Sequence, residues 1–206
     1  MIPPFLPPQR NGDTSEGIPC SVWSFIDQHH PVITANAHKL VFHDGEDLYG
    51  FDMCVELCDF LRSTYPDVGL IFCLPDVGDR DYLVCMQRRI KELGLAQSFL
   101  IVNEKVEYYP ILARCDLLVR PTNTDSYGVS VAEALYLGVP AVASDVCERP
   151  AGTVVFRSRD SEDFKRKVVR TLENSSLKAS LKENPLHSID YLSDILNVYD
   201  SVLVGS

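Results

Sequence analysis

Short, unbroken apolar runs alternate along this chain with longer stretches whose apolar residues recur every three or four positions. The runs at Val32 to Ala37, Val68 to Leu74, Phe99 to Val102, Asp116 to Arg120, Ala141 to Ser144 and Thr153 to Phe156 predict strands. An unbroken run suits a parallel strand covered on both faces. Between them, Gly50 to Ser63 predicts a helix with Phe51, Val55, Cys58 and Leu61 or Phe60 on one stripe. Asp81 to Leu93 predicts a second helix, closed by Gly94. Val106 to Ala113 reads as a short helix, and Ser130 to Leu137 as a helix stopped by Gly138 and Pro140. Ser161 to Asn174 is amphipathic through Phe164, Val168, Val169 and Leu172, and Ile189 to Val204 through Leu192, Ile195, Leu196, Tyr199, Val202 and Leu203. His43 to Asp47 predicts a turn. This alternation implies an α/β domain: a Rossmann-like parallel sheet with helices on both faces and a ligand crevice at the carboxyl ends of its strands.

A chain of 206 residues, 46% of them apolar, can bury the core of one sizeable domain. Met1 to Gly17 stands apart. Four prolines in the first eight residues, then Gln9-Arg10-Asn11-Gly12-Asp13, predict an extended linker and leave 18–206 as the folded domain. The start has no basic n-region, so it does not read as a signal peptide, and no apolar run reaches membrane-spanning length. A net charge of -10 argues against a general nucleic-acid or anionic-membrane surface, so a phosphate site would have to be built locally. Seven cysteines without a Cys-x-x-Cys pair read as reduced thiols of a cytoplasmic protein, most of them in apolar segments, as Cys54, Cys58, Cys73 and Cys85 are. The histidines lack metal-ligand spacing, and neither a metal nor a cofactor is expected. Trp23 and Phe25 are expected to pack against the body of the domain.

The candidate chemistry lies between Arg120 and Val146. The strand residues Leu117-Leu118-Val119 run into a polar turn holding Asp125 and Gly128, and a helix carrying Glu133 follows. A turn feeding a helix N-terminus presents free N–H groups and the positive dipole end, which suit an anion. Gly128, Val129 and Ser130 form the candidate phosphate cradle, because glycine lets backbone approach a ligand closely. An ordinary strand-to-helix turn fits the same residues. Ser130-x-x-Glu133 equally fits a capping box, and Asp125 a turn-forming aspartate.

This segment resembles the signature of the group 1 (family 4-like) retaining glycosyltransferases of the GT-B fold. That signature is an acid, seven intervening residues and a second acid, with an aromatic-Gly pair just after the first. Here it is Asp125, Ser126 to Ala132, and Glu133, with Tyr127-Gly128 as the pair. The Glu-Ala-Leu-x-x-Gly-Val-Pro-x-Val-Ala-Ser-Asp that runs from Glu133 to Asp145 fits as well, as do Leu48 to Asp52, Cys115 to Thr122 and Gly152 to Phe156. The similarity covers most of residues 30–175.

The resemblance implies the C-terminal, donor-binding half of a GT-B glycosyltransferase, reached through an Ile-Pro-Pro-Phe-like linker from an N-terminal half that supplies the acceptor site. It implies a nucleotide diphosphate sugar as donor, a glycan or lipid-linked acceptor, a role in polysaccharide biosynthesis, and a cytoplasmic protein that meets the inner face of the membrane through its other half. Glu133 would accept hydrogen bonds from the donor ribose. Asp125, at a position usually glutamate, would sit beside the donor sugar, and Tyr127, Gly128, Val129 and Ser130 would line the diphosphate. The family also places an arginine just after its first strand and a lysine just before the Gly-x-Asp that opens the next helix. Asn36 and Tyr49 stand at those positions here. The cations that would replace them are His38, Lys39, Arg120 and Arg149, with Arg149 preferred; Asn36 and Lys39 count among the donor contacts. The alternatives are a non-catalytic GT-B-like subunit or assembly partner in glycan synthesis, and a sugar-nucleotide epimerase of the same architecture.

Overall fold

A computed structural model describes residues 17–174 together with Leu196. The linker expected over 1–17 (Gly17 apart) and the helix expected over 189–204 (Leu196 apart) lie outside the described residues. The strands are β1 (Val32–Asn36), β2 (Phe42–His43), β3 (Glu46–Asp47), β4 (Gly69–Cys73), β5 (Phe99–Val102), β6 (Leu117–Arg120), β7 (Ala141–Ser144) and β8 (Val154–Phe156). The helices are α1 (Cys20–Gln28), α2 (Phe51–Leu61), α3 (Arg80–Glu92), α4 (Tyr108–Leu112), α5 (Val129–Tyr136) and α6 (Ser161–Glu173). Six strands form one parallel sheet in the order β5-β4-β1-β6-β7-β8. This is the expected Rossmann-like α/β fold.

Side chains alternate across the sheet as the pleat requires. Ile33, Leu70, Phe72, Leu117, Val119 and Val142 join α2, α3 and α6 in one core. On the other face Val32, Ile71 and Cys73 meet α1 and the end of α4, and Leu118, Ala141 and Ala143 meet α5. Both faces are buried, which is why the strands read as unbroken apolar runs. Phe51, fully buried at the start of α2, stacks on Phe72 at 4.4 Å between ring centroids. The small side chains of Ala141 and Ala143 leave room for α5, whose own inner face carries Val131, Ala134 and Leu135.

The chain builds outward from β1 through β4 to β5, then returns to the far side of β1 for β6, β7 and β8. The order of winding therefore reverses between β1 and β6. Their ladder is short, pairing only Ile33 with Leu117 and Thr34 with Leu118. Beyond it the strands part, leaving a crevice at their carboxyl ends flanked by Asn36 and Arg120. Crevices of this kind are where open α/β sheets take their ligands.

The structure departs from the sequence expectation in three places. Helix α1 was not expected; Ile18, Val22 and Ile26 recur at intervals of four and are all buried, but the helix has nine residues and Pro19 caps it with no side-chain hydrogen bond. The turn at His43 to Asp47 is a hairpin, β2 and β3, closed by Asp44 (φ 52°) and Gly45 (φ 80°). Cys85 is exposed, not apolar-packed, because α3 buries Leu83 and Ile90 and turns Cys85 outward. Trp23 and Phe25 do pack partly buried against the core beside α1. All seven cysteines are free thiols.

The hairpin has a clear task. Its buried Asp47 accepts hydrogen bonds from the amides of Tyr49 (3.0 Å), Phe51 (2.5 Å) and Asp52 (3.4 Å), and from the Tyr82 hydroxyl (3.0 Å). These bonds satisfy amides at the start of α2 that have no partner inside the helix. Burial, and then the nearby charge of Asp52, raise the Asp47 carboxyl above its ordinary range despite these donors. Gly50, at φ 68°, is the residue that lets α2 start here, since a Cβ on it would lie 2.3 Å from the Pro121 carbonyl oxygen.

Candidate functional site

The site is assembled where β6 ends. Pro121 stops the strand, and buried Thr122 opens the turn that leads to α5. The hydroxyl of Ser144, at the end of β7, donates to the Thr122 carbonyl at 2.6 Å and ties the turn to the neighbouring strand. Gly128 caps α5 in the left-handed region at φ 83°, with no side-chain cap. The capping box that Ser130 and Glu133 fit by spacing is not formed, because the helix starts two residues earlier than that pattern requires. Ser130 is instead the second helical residue, with its Oγ buried and unpartnered among the described residues. The amides of Val129 and Ser130, at the first two positions of α5, have no acceptor among the described residues. They differ in this from the amides at the start of α2, which Asp47 satisfies.

Arg149, in the loop after β7, reaches back over this turn. Its Nε donates to the Ser144 carbonyl (2.8 Å), Nη1 to Asp125 Oδ2 (2.8 Å), and Nη2 to the hydroxyls of Thr122 (3.1 Å) and Ser144 (3.0 Å). Its side chain is 2% exposed. A Cβ on Gly128 would stand 2.7 Å from Arg149 Nη1. Glycine is therefore required twice at this position, by backbone angle and by the guanidinium above it.

Arg120 approaches the same carboxylate from the other side. Its Nε donates to Asp125 Oδ2 at 2.9 Å, and its Nη1 to the carbonyl and side-chain oxygens of Asn36 at 3.3 and 3.4 Å. The guanidinium lies over the Tyr49 ring, 5.5 Å from its centroid. Arg120 thus spans the gap between β1 and β6. Burial raises the Asp125 carboxyl, but the two arginines outweigh it and hold the group below the usual carboxylate range. With one acid between two arginines, the cluster carries one net positive charge in a chain of net charge -10.

Asn36, His38, Tyr49, Glu104, Tyr108 and Arg120 help line a cleft of about 260 Å³ off the carboxyl ends of β1, β4, β5 and β6. The Tyr108 hydroxyl meets Thr34 Oγ1 at 3.1 Å and closes the floor. Glu133 is half-buried on α5, and its carboxylate has no hydrogen-bond partner among the described residues. Burial, and then the charge of Glu107, raise it, and Arg120 acts the other way. Lys39 is exposed and lies outside the cleft lining; Val129 is exposed at the mouth of α5, and Tyr127 is half-buried beside it. The fold therefore gathers Asp125, Gly128, Arg149, Arg120 and Asn36, and leaves Lys39 apart. Among the described residues no three His, Cys, Asp or Glu are grouped as metal ligands.

The Glycosyl transferases group 1 family matches this chain over residues 40–186. The chain belongs to the group 1 glycosyltransferases. It is 22% identical over 199 residues to the lipopolysaccharide glucosyltransferase WaaG of Escherichia coli K12, which covers 92% of this chain and 51% of WaaG. The chain thus spans about half the length of that relative. In three dimensions it is similar to Anabaena Alr3699/HepE in complex with UDP, with a TM-score of 0.74 and 16% identity over 95% of this chain and 54% of HepE. It also matches the C-terminal domain of the group 1 glycosyl transferase LpcC from Francisella tularensis, with a TM-score of 0.67 and 15% identity over 83% of this chain and 91% of that domain.

As the C-terminal domain of a group 1 glycosyltransferase, the chain carries the acid pair of the family signature on two different settings. Asp125 is held by two guanidinium groups, whereas Glu133 is left with open acceptor sites. No helix among the described residues is long and apolar enough to cross a membrane. On sequence, Arg149 is preferred over His38, Lys39 and Arg120 for the cation that Asn36 and Tyr49 do not supply, and the structure does not favour that choice. The geometry separates the two arginines: Arg149 has every nitrogen bonded within the fold, and Arg120 lies on Asn36 and Tyr49 at the cleft.

Proposed function

We propose that this chain is the donor-binding half of a retaining glycosyltransferase, moving a sugar from a nucleotide diphosphate sugar to a glycan or lipid-linked acceptor. The acceptor site belongs, in this reading, to an N-terminal GT-B half. The observation that carries the reading is the cleft at the point where the sheet reverses its winding, with a guanidinium on its wall and the open N-terminus of α5 beside the same cationic cluster. The unpaired amides of Val129 and Ser130 donate to the diphosphate, and the net positive cluster of Arg120, Arg149 and Asp125 offsets charge on it as it departs. The free carboxylate of Glu133 accepts from both ribose hydroxyls, which an ionised acid does well. Asp125 fixes the arginines and stands as the acid nearest the sugar, with Tyr127 packed alongside. Cleavage at the anomeric carbon places positive charge on the ring, and the protein's task is to hold the leaving group and fix the sugar's position.

Titrating UDP, GDP and ADP into the full chain by calorimetry tests this. One of the diphosphates is expected to bind, and Glu133→Ala to weaken it by about 10- to 100-fold, the worth of hydrogen bonds to a charged group. Equal affinity in the variant would reject the ribose assignment. If none of the three binds at millimolar concentration, the donor-binding reading fails and the alternative of a non-catalytic subunit stands. The uncharged Asn36 and Tyr49 are the observation on that side.

A further inference from the structure

We propose that Arg120 is the residue that grips the donor's diphosphate in this protein, through the Nη2 edge of its guanidinium; the inference rests on the donor-binding reading above. The sequence offers four basic side chains for the places of Asn36 and Tyr49. Arg149 is excluded by its bonding, since Nε, Nη1 and Nη2 all donate to protein oxygens and the side chain is 2% exposed. Lys39 is exposed and apart from the cleft lining. His38 lines the cleft but is exposed at its rim, and its ring has no hydrogen-bond partner among the described residues to fix it.

Arg120 alone of the four is both oriented and available. Asp125 fixes Nε, Asn36 fixes Nη1, and the Tyr49 ring lies against the guanidinium plane. Nη2 has no acceptor among the described residues, although the side chain is 13% exposed and lines the cleft. A guanidinium held on two edges with its third edge open is preorganised for a phosphate oxygen, so little side-chain entropy is lost on binding. Asn36 and Tyr49 then act as positioning residues: an oxygen pair and an aromatic face that aim a cation supplied by β6. This explains how two neutral residues occur where the family resemblance calls for an arginine and a lysine.

The test compares Arg120→Gln and Arg120→Lys with the parent for two probes: whichever of UDP, GDP and ADP binds the parent, and the matching nucleoside without phosphate. The nucleoside is expected to bind all three proteins alike. Diphosphate affinity is expected to fall about 10- to 100-fold in Arg120→Gln, as for loss of a charged hydrogen bond, and less in Arg120→Lys. Tyr49→Lys added to Arg120→Gln is expected to recover part of the loss. If Arg120→Gln weakens nucleoside and diphosphate in equal proportion, Arg120 only supports Asp125 and the proposal is overturned. Unchanged diphosphate affinity overturns it as well. If Arg120→Gln fails to fold, the double change Arg120→Gln with Asp125→Asn removes the carboxylate left short of a partner and is read the same way. Failure of the parent to bind any diphosphate sinks the donor-binding reading itself, a result distinct from a loss confined to the variants.

Discussion

Gly128→Ala puts the architecture of the signature turn to a quantitative test. Two separate penalties act at this position. Alanine at φ 83° leaves its preferred backbone region, which costs about 1–2 kcal/mol. Its Cβ would also lie 2.7 Å from Arg149 Nη1. The end of an arginine side chain usually yields cheaply, but this one is buried and bonded through every nitrogen, so moving it breaks its bond to Asp125. A hydrogen bond to a charged group is worth about 1.5–3 kcal/mol, which brings the expected total to about 2.5–5 kcal/mol. The second penalty depends on Arg149 and the first does not. In an Arg149→Met background the cost of Gly128→Ala is therefore expected to shrink to the backbone part alone, a coupling of about 2 kcal/mol. Urea denaturation of the parent, both single variants and the double variant measures it. Equal costs for Gly128→Ala in the two backgrounds would refute the claim that the guanidinium dictates glycine here.

Other consequences can be checked on the same protein. Tyr82→Phe removes the hydroxyl that donates to buried Asp47 at 3.0 Å, and is expected to lower stability by about 1.5–3 kcal/mol in chemical denaturation. Asp125 has a folded-state pKa below its ordinary value, so its contribution is present above the unfolded value near 3.9 and is lost as pH falls through the folded one. Asp125→Asn is accordingly expected to flatten the acid limb of the stability-pH curve below about pH 4, and an acid limb identical to the parent's would contradict the arginine pairing. Glu133 has its pKa raised, so nucleotide affinity that depends on its carboxylate is expected to fall as pH drops through a value above the ordinary one. Calorimetry from neutral to acid pH, with Glu133→Gln as the comparison lacking that fall, decides it.

Much of the sheet was legible because a strand covered on both faces must be apolar at consecutive positions, as β1, β4, β6 and β7 are; the edge strands β5 and β8 are only partly covered but are apolar along their length too. Helix α1 was harder to see. Its two buried residues, Val22 and Ile26, continue the spacing of four from Ile18 just before it, but over nine residues with no side-chain cap they do not stand out from a loop that packs. The hairpin was read as a turn because its acidic residues look solvated, yet Asp47 is buried as the cap of α2, a role that depends on where Phe51 and Tyr82 arrive. The signature turn and its two acids were visible as a motif. The division of labour between Arg120 and Arg149 was not, since both flank the turn and only the folded chain shows that one is saturated by Thr122, Ser144 and Asp125. Likewise, the spacing of Ser130 and Glu133 fits a capping box, but Gly128 starts the helix and leaves the glutamate unengaged.

Arg149 fastens the loop after β7 to Thr122 and Asp125 on the other side of α5's mouth, and Ser144 doubles the seam. Loop and turn are thereby locked into one block with no hinge between them. Any lid that closes over a ligand at this end of the sheet must then be hinged elsewhere, and this wall serves as the fixed jaw against which it shuts.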